Sequence, residues 1–299
     1  MTSKTMTPHI CNMFGAVVAD DLPTVMKLVE TDHVDLNQTF RGATALAMAF
    51  YKNRESIFHW ILNNADEIDL DMPSNDGKGR IEPLLVAACR VGNKEMMTIL
   101  LNKGADIDAV DNYNHTALWM ATRQRRIDIV ELLISYGAKI NISEMWNESP
   151  LYLSLKYPRR EKMAAMLILN GACVNFPGES RTKTLLHWCM FHCHKDIIKL
   201  LAYTGYNITK EQGIWLSLPA RVAEDVEFCR WLKDELSTPP NLQRQCRVAI
   251  RRQVLHQEAG RLFLQKLKTL PLPQRLLDYL AMNDIQTELA LSSESSESE

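Results

Sequence analysis

The densest group of potentially reactive side chains is His187-Trp188-Cys189-Met190-Phe191-His192-Cys193-His194, which crowds five possible metal ligands into eight residues. Histidine and cysteine are the usual ligands of zinc. Three of the five, at 192 to 194, are consecutive, and consecutive residues do not readily point at one ion. A second candidate is Cys246, between Arg244 and Arg247. Nearby cations lower a thiol pKa, but on a helix these arginines project from the opposite side and leave the sulfur unactivated. The chain has no phosphate-cradling glycine loop, no Gly-x-Ser-x-Gly elbow and no His-Glu-x-x-His helix. We therefore expect no catalytic residue, no metal and no cofactor.

Recognition rather than catalysis is left, and the elements that would serve it are periodic. The segments beginning Asn102-Lys-Gly-Ala-Asp, Ser135-Tyr-Gly-Ala-Lys, Leu169-Asn-Gly-Ala-Cys and Tyr203-Thr-Gly-Tyr-Asn align on Gly104, Gly137, Gly171 and Gly205, spaced by 33, 34 and 34 residues. About twenty residues before each glycine stands a helix-opening signal: Thr116-Ala-Leu118, Ser149-Pro-Leu151 and Thr184-Leu-Leu-His187, with Thr44-Ala-Leu46 and Pro83-Leu-Leu85 upstream. Ser or Thr caps the free amides of a helix start, and glycine supplies the left-handed conformation that ends one. Between the marks the apolar residues recur at helical spacing, as in Ile127-Asp-Ile-Val-Glu-Leu-Leu-Ile134. One helix pair cannot bury its own apolar face, whereas stacked pairs bury it between them.

This pattern resembles ankyrin repeats, most closely from Pro83 to Ile208. The resemblance implies an all-α solenoid with short β-hairpin fingers between helix pairs. Residues 1–8 are read as a flexible start, and 9–236 as about six repeats with a C-terminal cap. His9 to Asn37 keeps only the helix pair and the ending Val34-Asp-Leu-Asn37, and the next repeat has Asn64-Ala65 in place of the usual Gly-Ala, so the two read as an N-terminal cap and one divergent repeat. Trp215, Leu216, Val222, Val226, Phe228, Trp231 and Leu232 supply apolar surface for the cap. In the ankyrin register His187 and Cys189 take structural positions, which weighs further against a zinc site.

Ser237-Thr-Pro-Pro-Asn241 interrupts the pattern, since two prolines stop a helix. From Pro240 to Asp284 there are eight basic and three acidic residues, while the whole chain has a net charge of −2. This segment is thus basic and the rest acidic. It reads as three short helices, about 242–255, 258–267 and 274–282. On the first, Leu242, Cys246, Ala249 and Ile250 form an apolar stripe opposite Arg244, Arg247, Arg251 and Arg252. Some 45 residues make too small a core to stand alone, so the stripe must pack on the repeats, on the other two helices or on a partner.

Asn241-Leu242-Gln-Arg-Gln-Cys246-Arg-Val-Ala-Ile250 is similar to the Elongin-C-binding box of the SOCS box. Leu270-Pro271-Leu272-Pro273 resembles the cullin box that follows it in that family. Together, after an ankyrin array, they make the chain similar to the ankyrin-repeat-and-SOCS-box family, with the SOCS box at 237–286. The resemblance implies Elongin C, with Elongin B, docking on Leu242, Cys246, Ala249 and Ile250. It also implies cullin five, with its RING protein, docking on Leu270, Pro271, Leu272 and Pro273. The implied role is a non-catalytic substrate receptor of a ubiquitin ligase; the alternative left open is an ankyrin scaffold or sequestering protein that never meets a cullin.

Substrate-binding candidates follow from the ankyrin register. Phe40, Arg41, Tyr113, Asn114, Met145 and Trp146 fall at hairpin tips. Arg123, Arg125, Arg126, Lys156, Arg159 and Arg160 fall near the ends of first helices. A net charge of −2 gives no general attraction to nucleic acid or to an anionic membrane. No apolar run reaches the roughly 20 residues of a membrane-spanning helix. Seven cysteines without framework spacing read as reduced thiols, which together with a start lacking an apolar leader suits the cytoplasm or nucleus. The Ser/Glu-rich run within 287–299 is expected to be a disordered acidic tail, with Ser296 a possible phosphate acceptor.

Overall fold

The computed structural model describes residues 8–64, 68–142, 148–175, 183–208, 218–238, 240–258 and 262–286. The expectations for Met145, Trp146, Trp215, Leu216 and the 287–299 tail lie outside the described residues. The chain divides into two compact units, 1–117 and 118–299.

The first unit is a run of helix pairs: α1 (Pro8–Ala19) with α2 (Leu22–Glu30), α3 (Ala45–Tyr51) with α4 (Glu55–Asn64), and α5 (Leu84–Val91) with α6 (Lys94–Asn102). Its strands are two-residue pieces, β1 (Ser74–Asn75) antiparallel to β2 (Ile81–Glu82). Isolated bridges join Phe40 to Ala43 and Val110 to Thr116 at two further hairpin tips. Val25, Leu46, Ile57, Phe58, Leu85, Met97 and Leu100 fill its core.

The second unit continues the pattern through α7 (Ala117–Arg123) with α8 (Ile127–Ser135), α9 (Pro150–Lys156) with α10 (Glu161–Leu169), and α11 (Leu185–His192) with α12 (Lys195–Tyr203). A short α13 (Ala220–Ala223) and α14 (Val226–Ser237) follow, so the region read as a cap is a further helix pair, with Val222, Phe228 and Leu232 buried. Then come α15 (Leu242–Glu258), α16 (Phe263–Thr269) and α17 (Gln274–Ala281).

The start and stop signals act as their chemistry dictates. Thr44, Ser149 and Thr184 accept from the amides of Ala47, Tyr152 and His187, each three residues on. Gly104, Gly137, Gly171 and Gly205 all have φ near +90°, a region costly to residues with a Cβ. The Asn or Asp closing each motif ties one hairpin to the next. Asn37 and Asp71 accept from the amides of Asp69 and Asp106 in the first unit, as Asn141 does from Cys173 in the second. Among the described residues no helix is long and apolar enough to cross a membrane.

Candidate functional site

The helix α15 is amphipathic, but its charged face points inward. Arg247 and Arg251 are each only 3% exposed, whereas Leu242, Cys246, Ala249 and Ile250 are all exposed, Leu242 at 75%. Burying a cation is costly unless every donor finds an acceptor. For Arg244 and Arg251 the acceptors include the ends of other helices, while Arg247 uses the Asp284 carboxylate and leaves its Nε without a partner. The last carbonyls of an α-helix lack partners within the helix and carry its partial negative charge. Arg244 donates to the Ala202 carbonyl near the end of α12, pairs with Glu235 of α14 and lies over the Tyr203 ring. Arg251 donates to Leu280 in α17 at 2.6 Å, and to Ile168 and Leu169 in α10 at 3.2 and 3.4 Å. It also lies 4.5 Å from the Phe263 ring centre. Burial, with the nearby Arg247 cation second, pushes its pKa down to about 9. Arg247 holds Asp284 at 2.7 Å and stacks 3.5 Å above Tyr279.

Arg244 and Arg251 are seven residues apart, a helical rise of roughly 10 Å, close to the distance between packed helices. That is why one reaches α12 and the other α10, one repeat away. The apolar residues beside them follow the same period. Val248 sits on Gly205, where an added Cβ would lie 2.5 Å from its Cγ1. Leu255 and Phe263 sit on Gly171, where an added Cβ would meet their atoms at 2.6 and 2.8 Å. Two repeat glycines therefore act both as left-handed helix stops and as bare backbone on which α15 rests.

The other two helices complete a small core of Phe263, Leu267 and Leu280, with Val254 and Leu255 against it. This packing carries α15 on to Glu258, beyond the expected end near Leu255, and α16 begins only at Phe263. Because α15 and Phe263 of α16 pack at the ends of α10 and α12, the break at Ser237 is not where the compact units divide.

Leu270 and Leu272, expected to face a cullin, are half-buried against this core. Pro271 and Pro273 are exposed on the same turn, and Pro273 stands at the N-cap of α17. The exposed leucine of the region is Leu276, at 47%. The sequence reading missed it, and helical spacing does not single it out, because Leu276 and Leu277 stand four and three residues before Leu280 and are equally compatible with one face.

The substrate candidates separate on inspection. Tyr113, in the first unit, is exposed but tilts against His115, whose ring Nδ1 lies 2.8 Å from Asp111. In the second unit Arg123, Arg125 and Arg159 are exposed, and Arg126 is half-buried at the N-cap of α8. Arg160 differs from the expectation of a surface ridge. It is buried, donates to the Thr122 and Arg123 carbonyls at 3.0 and 3.1 Å, and lies over Tyr157. Burial first, then the Arg125 charge, lowers its pKa. Its guanidinium ties one repeat to the next by the device α15 uses.

The cluster at 187 to 194 is likewise occupied structurally. Cys189 is buried, Cys193 ends α11 in the left-handed conformation, His192 donates to the Lys156 carbonyl and His194 pairs with Glu161. Among the described residues no group of three or more His, Cys, Asp or Glu side chains is disposed to hold a metal.

Comparisons agree with this layout. A family model for ankyrin repeats, in three copies, matches residues 68–144, and one for the SOCS box matches 238–281. The chain is 32% identical over 112 residues to Neurogenic locus notch homolog protein 1 of Mus musculus, covering 38% of this chain and 4% of that protein. It is 33% identical over 105 residues to Ankyrin repeat and SOCS box protein 6 of Mus musculus, covering 34% of this chain and 25% of that protein. The match thus spans well under half the length of either relative. Among solved structures, an ankyrin repeat domain from Acinetobacter baumannii AYE superposes with a TM-score of 0.54 at 21% identity, over 63% of this chain and 95% of that one. That likeness concerns the fold.

Proposed function

Taking the chain as an ankyrin-repeat and SOCS-box protein, which its two matched modules make it, we propose that it is the substrate-recognition subunit of an Elongin B/C–cullin five–RING ubiquitin ligase. In this reading the repeats hold a substrate protein and the SOCS box attaches the pair to the ligase. Catalysis belongs to other subunits. The contribution of this chain is effective concentration: a tethered lysine meets the ubiquitin thioester in a nearly intramolecular step.

The observation that carries the reading is the exposed stripe of Leu242, Cys246, Ala249 and Ile250 on a helix whose other face is anchored through Arg244, Arg247 and Arg251. Leu242, at 75% exposed, forgoes most of the roughly 1.5 to 3 kcal/mol that full burial gives, and Ile250, at 37%, a smaller part. A partner groove recovers it at small entropic cost because α15 is already held rigid by its arginines. Leu242 enters an apolar pocket of Elongin C, and Cys246, Ala249 and Ile250 line the contact one and two turns on. Pro271 and Pro273 present a stiff turn to the cullin, with Leu270 and Leu272 anchoring that turn to the SOCS core.

Co-expression of the full chain with Elongin B and Elongin C tests this. A stable ternary complex is expected, and Leu242→Asp with Cys246→Asp is expected to abolish it while the protein remains folded by circular dichroism. Absence of a complex with the unchanged chain would leave the ankyrin-scaffold reading in its place.

A further inference from the structure

The most exposed aromatic side chain among the described residues is Phe191, at 65%. It belongs to a strip of rings at the ends of first helices in adjacent repeats of the second unit. His187 stacks on it at 6.4 Å and Trp188 meets it edge-on at 6.2 Å. His192 donates to the Lys156 carbonyl at 3.2 Å, which joins the end of α11 to the end of α9, where the exposed Tyr157 follows. Arg125 donates to the Arg159 carbonyl at 3.4 Å and carries the strip on toward α7.

The charges along it are one-sided. Arg123, Arg125, Arg159 and Lys183 are exposed and form no ion pair with a described carboxylate. Of the acids at hand, Glu148 pairs with the Lys156 ammonium, and Glu161 bonds the ring of His194, whose pKa burial lowers. Arg125 and Arg159 also stand at φ of +64° and +58°, where Gly or Asn is less strained.

Ring occupancy decides what such a surface accepts. Lys183 lies 4.9 Å over Trp188, and Arg160 and Lys156 lie 4.7 and 5.9 Å over Tyr157. The electron-rich faces that would attract a cation or stack on a nucleobase already carry cations of this chain. What remains is outward positive charge beside the open apolar edge of Phe191.

We propose that Tyr157, Trp188 and Phe191, with Arg125, Arg159 and Lys183, form the docking surface for an acidic segment of a partner protein. Its carboxylates face the guanidinium and ammonium groups, and one large apolar side chain seats on Phe191. Charge complementarity of this kind sets specificity and association rate, and a desolvated aromatic anchor supplies affinity. The proposal rests on the reading that the repeats bind substrate, and names the chemistry of that substrate.

The test uses the full chain to select from a displayed library of random short peptides, followed by binding of the selected peptides in solution. Peptides rich in Asp and Glu around a Phe, Leu, Met or Trp are expected, bound more weakly as salt rises. Affinity is expected to fall about tenfold or more in Phe191→Ser and in the pair Arg125→Glu with Arg159→Glu, and to persist in Leu242→Asp. Selected peptides without net negative charge, no selection at all, unchanged binding in both variants, or tighter binding of labelled polyuridylate than of any selected peptide would each overturn the proposal. Retained peptide binding by a chain that fails to join Elongin B and C would remove the ligase reading alone; the converse would remove only this surface.

Discussion

The helices α12 and α15 meet where α15 crosses the end of α12, and they obey opposite rules. In α12 the buried residues are Ile197, Ile198, Leu200, Leu201 and Ala202, the ordinary arrangement for a repeat that must hide its apolar face. In α15 Arg247 and Arg251 are buried and Arg244 is half-buried, Arg252 is exposed, and the leucine, cysteine and isoleucine face solvent. The contrast shows that an apolar stripe does not reveal which side of a helix faces its own molecule. The decision depends on what the neighbouring surface offers. The ends of α10 and α12 offer carbonyl oxygens that keep a lone pair beyond their capping N–H, which a guanidinium engages and an alkyl chain does not. The stripe is thereby left facing solvent.

The sharpest way to break this comparison is to place the same charge in both helices. Leu200→Asp puts a carboxylate at a site with no exposed surface and is expected to destabilise the repeats by more than about 4 kcal/mol. Leu242→Asp is expected to leave the thermal midpoint nearly unchanged while removing Elongin C binding. If both variants unfold alike, α15 is an ordinary core helix and the comparison fails.

A smaller effect is expected from Arg251→Ala, which removes a buried guanidinium bonded to three helix-end carbonyls of the second unit. Loss of buried bonds from a charged donor costs on the order of 3 kcal/mol. The loss should be local, seen as faster hydrogen exchange in 242–286 with 118–168 little changed. Uniform acceleration across the unit would mean that the guanidinium supports the repeats themselves rather than the joint.

The smallest effect separates two glycines that look alike in sequence. Gly104 and Gly171 both have positive φ, yet an added Cβ meets nothing within 4 Å at Gly104 and meets Leu255 and Phe263 below 3 Å at Gly171. Gly104→Ala should therefore cost only its backbone strain, about 1 kcal/mol. Gly171→Ala should cost roughly 1 to 3 kcal/mol more from overpacking. Chemical denaturation of the two variants gives the difference directly, and equal costs would show that α15 and α16 do not press on the repeat backbone.

Much of the architecture was legible because it follows from local chemistry. Caps at Thr44, Ser149 and Thr184, stops at the repeat glycines and a three- to four-residue apolar spacing determine helix pairs without reference to distant residues. The apolar stripe of α15 and the Leu270-Pro271-Leu272-Pro273 turn were legible for the same reason. What the turn's leucines do was not, since Leu270 and Leu272 became core only when α16 and α17 closed over them. Arg160 was read as surface because charge usually is, and its burial depends on carbonyls contributed by the preceding repeat.

By itself, then, the sequence determined the repeat, its register, the existence of a basic C-terminal helical segment and the residues of its apolar stripe, because each depends on spacing within one helix or turn. Only the tertiary structure decided that the stripe faces outward, that Arg244 and Arg251 cap the ends of two successive repeats, and that Gly171 and Gly205 carry the packing of α15. Those outcomes depend on which carbonyls, charges and bare backbone surfaces meet across dozens of residues, and no local periodicity records that meeting.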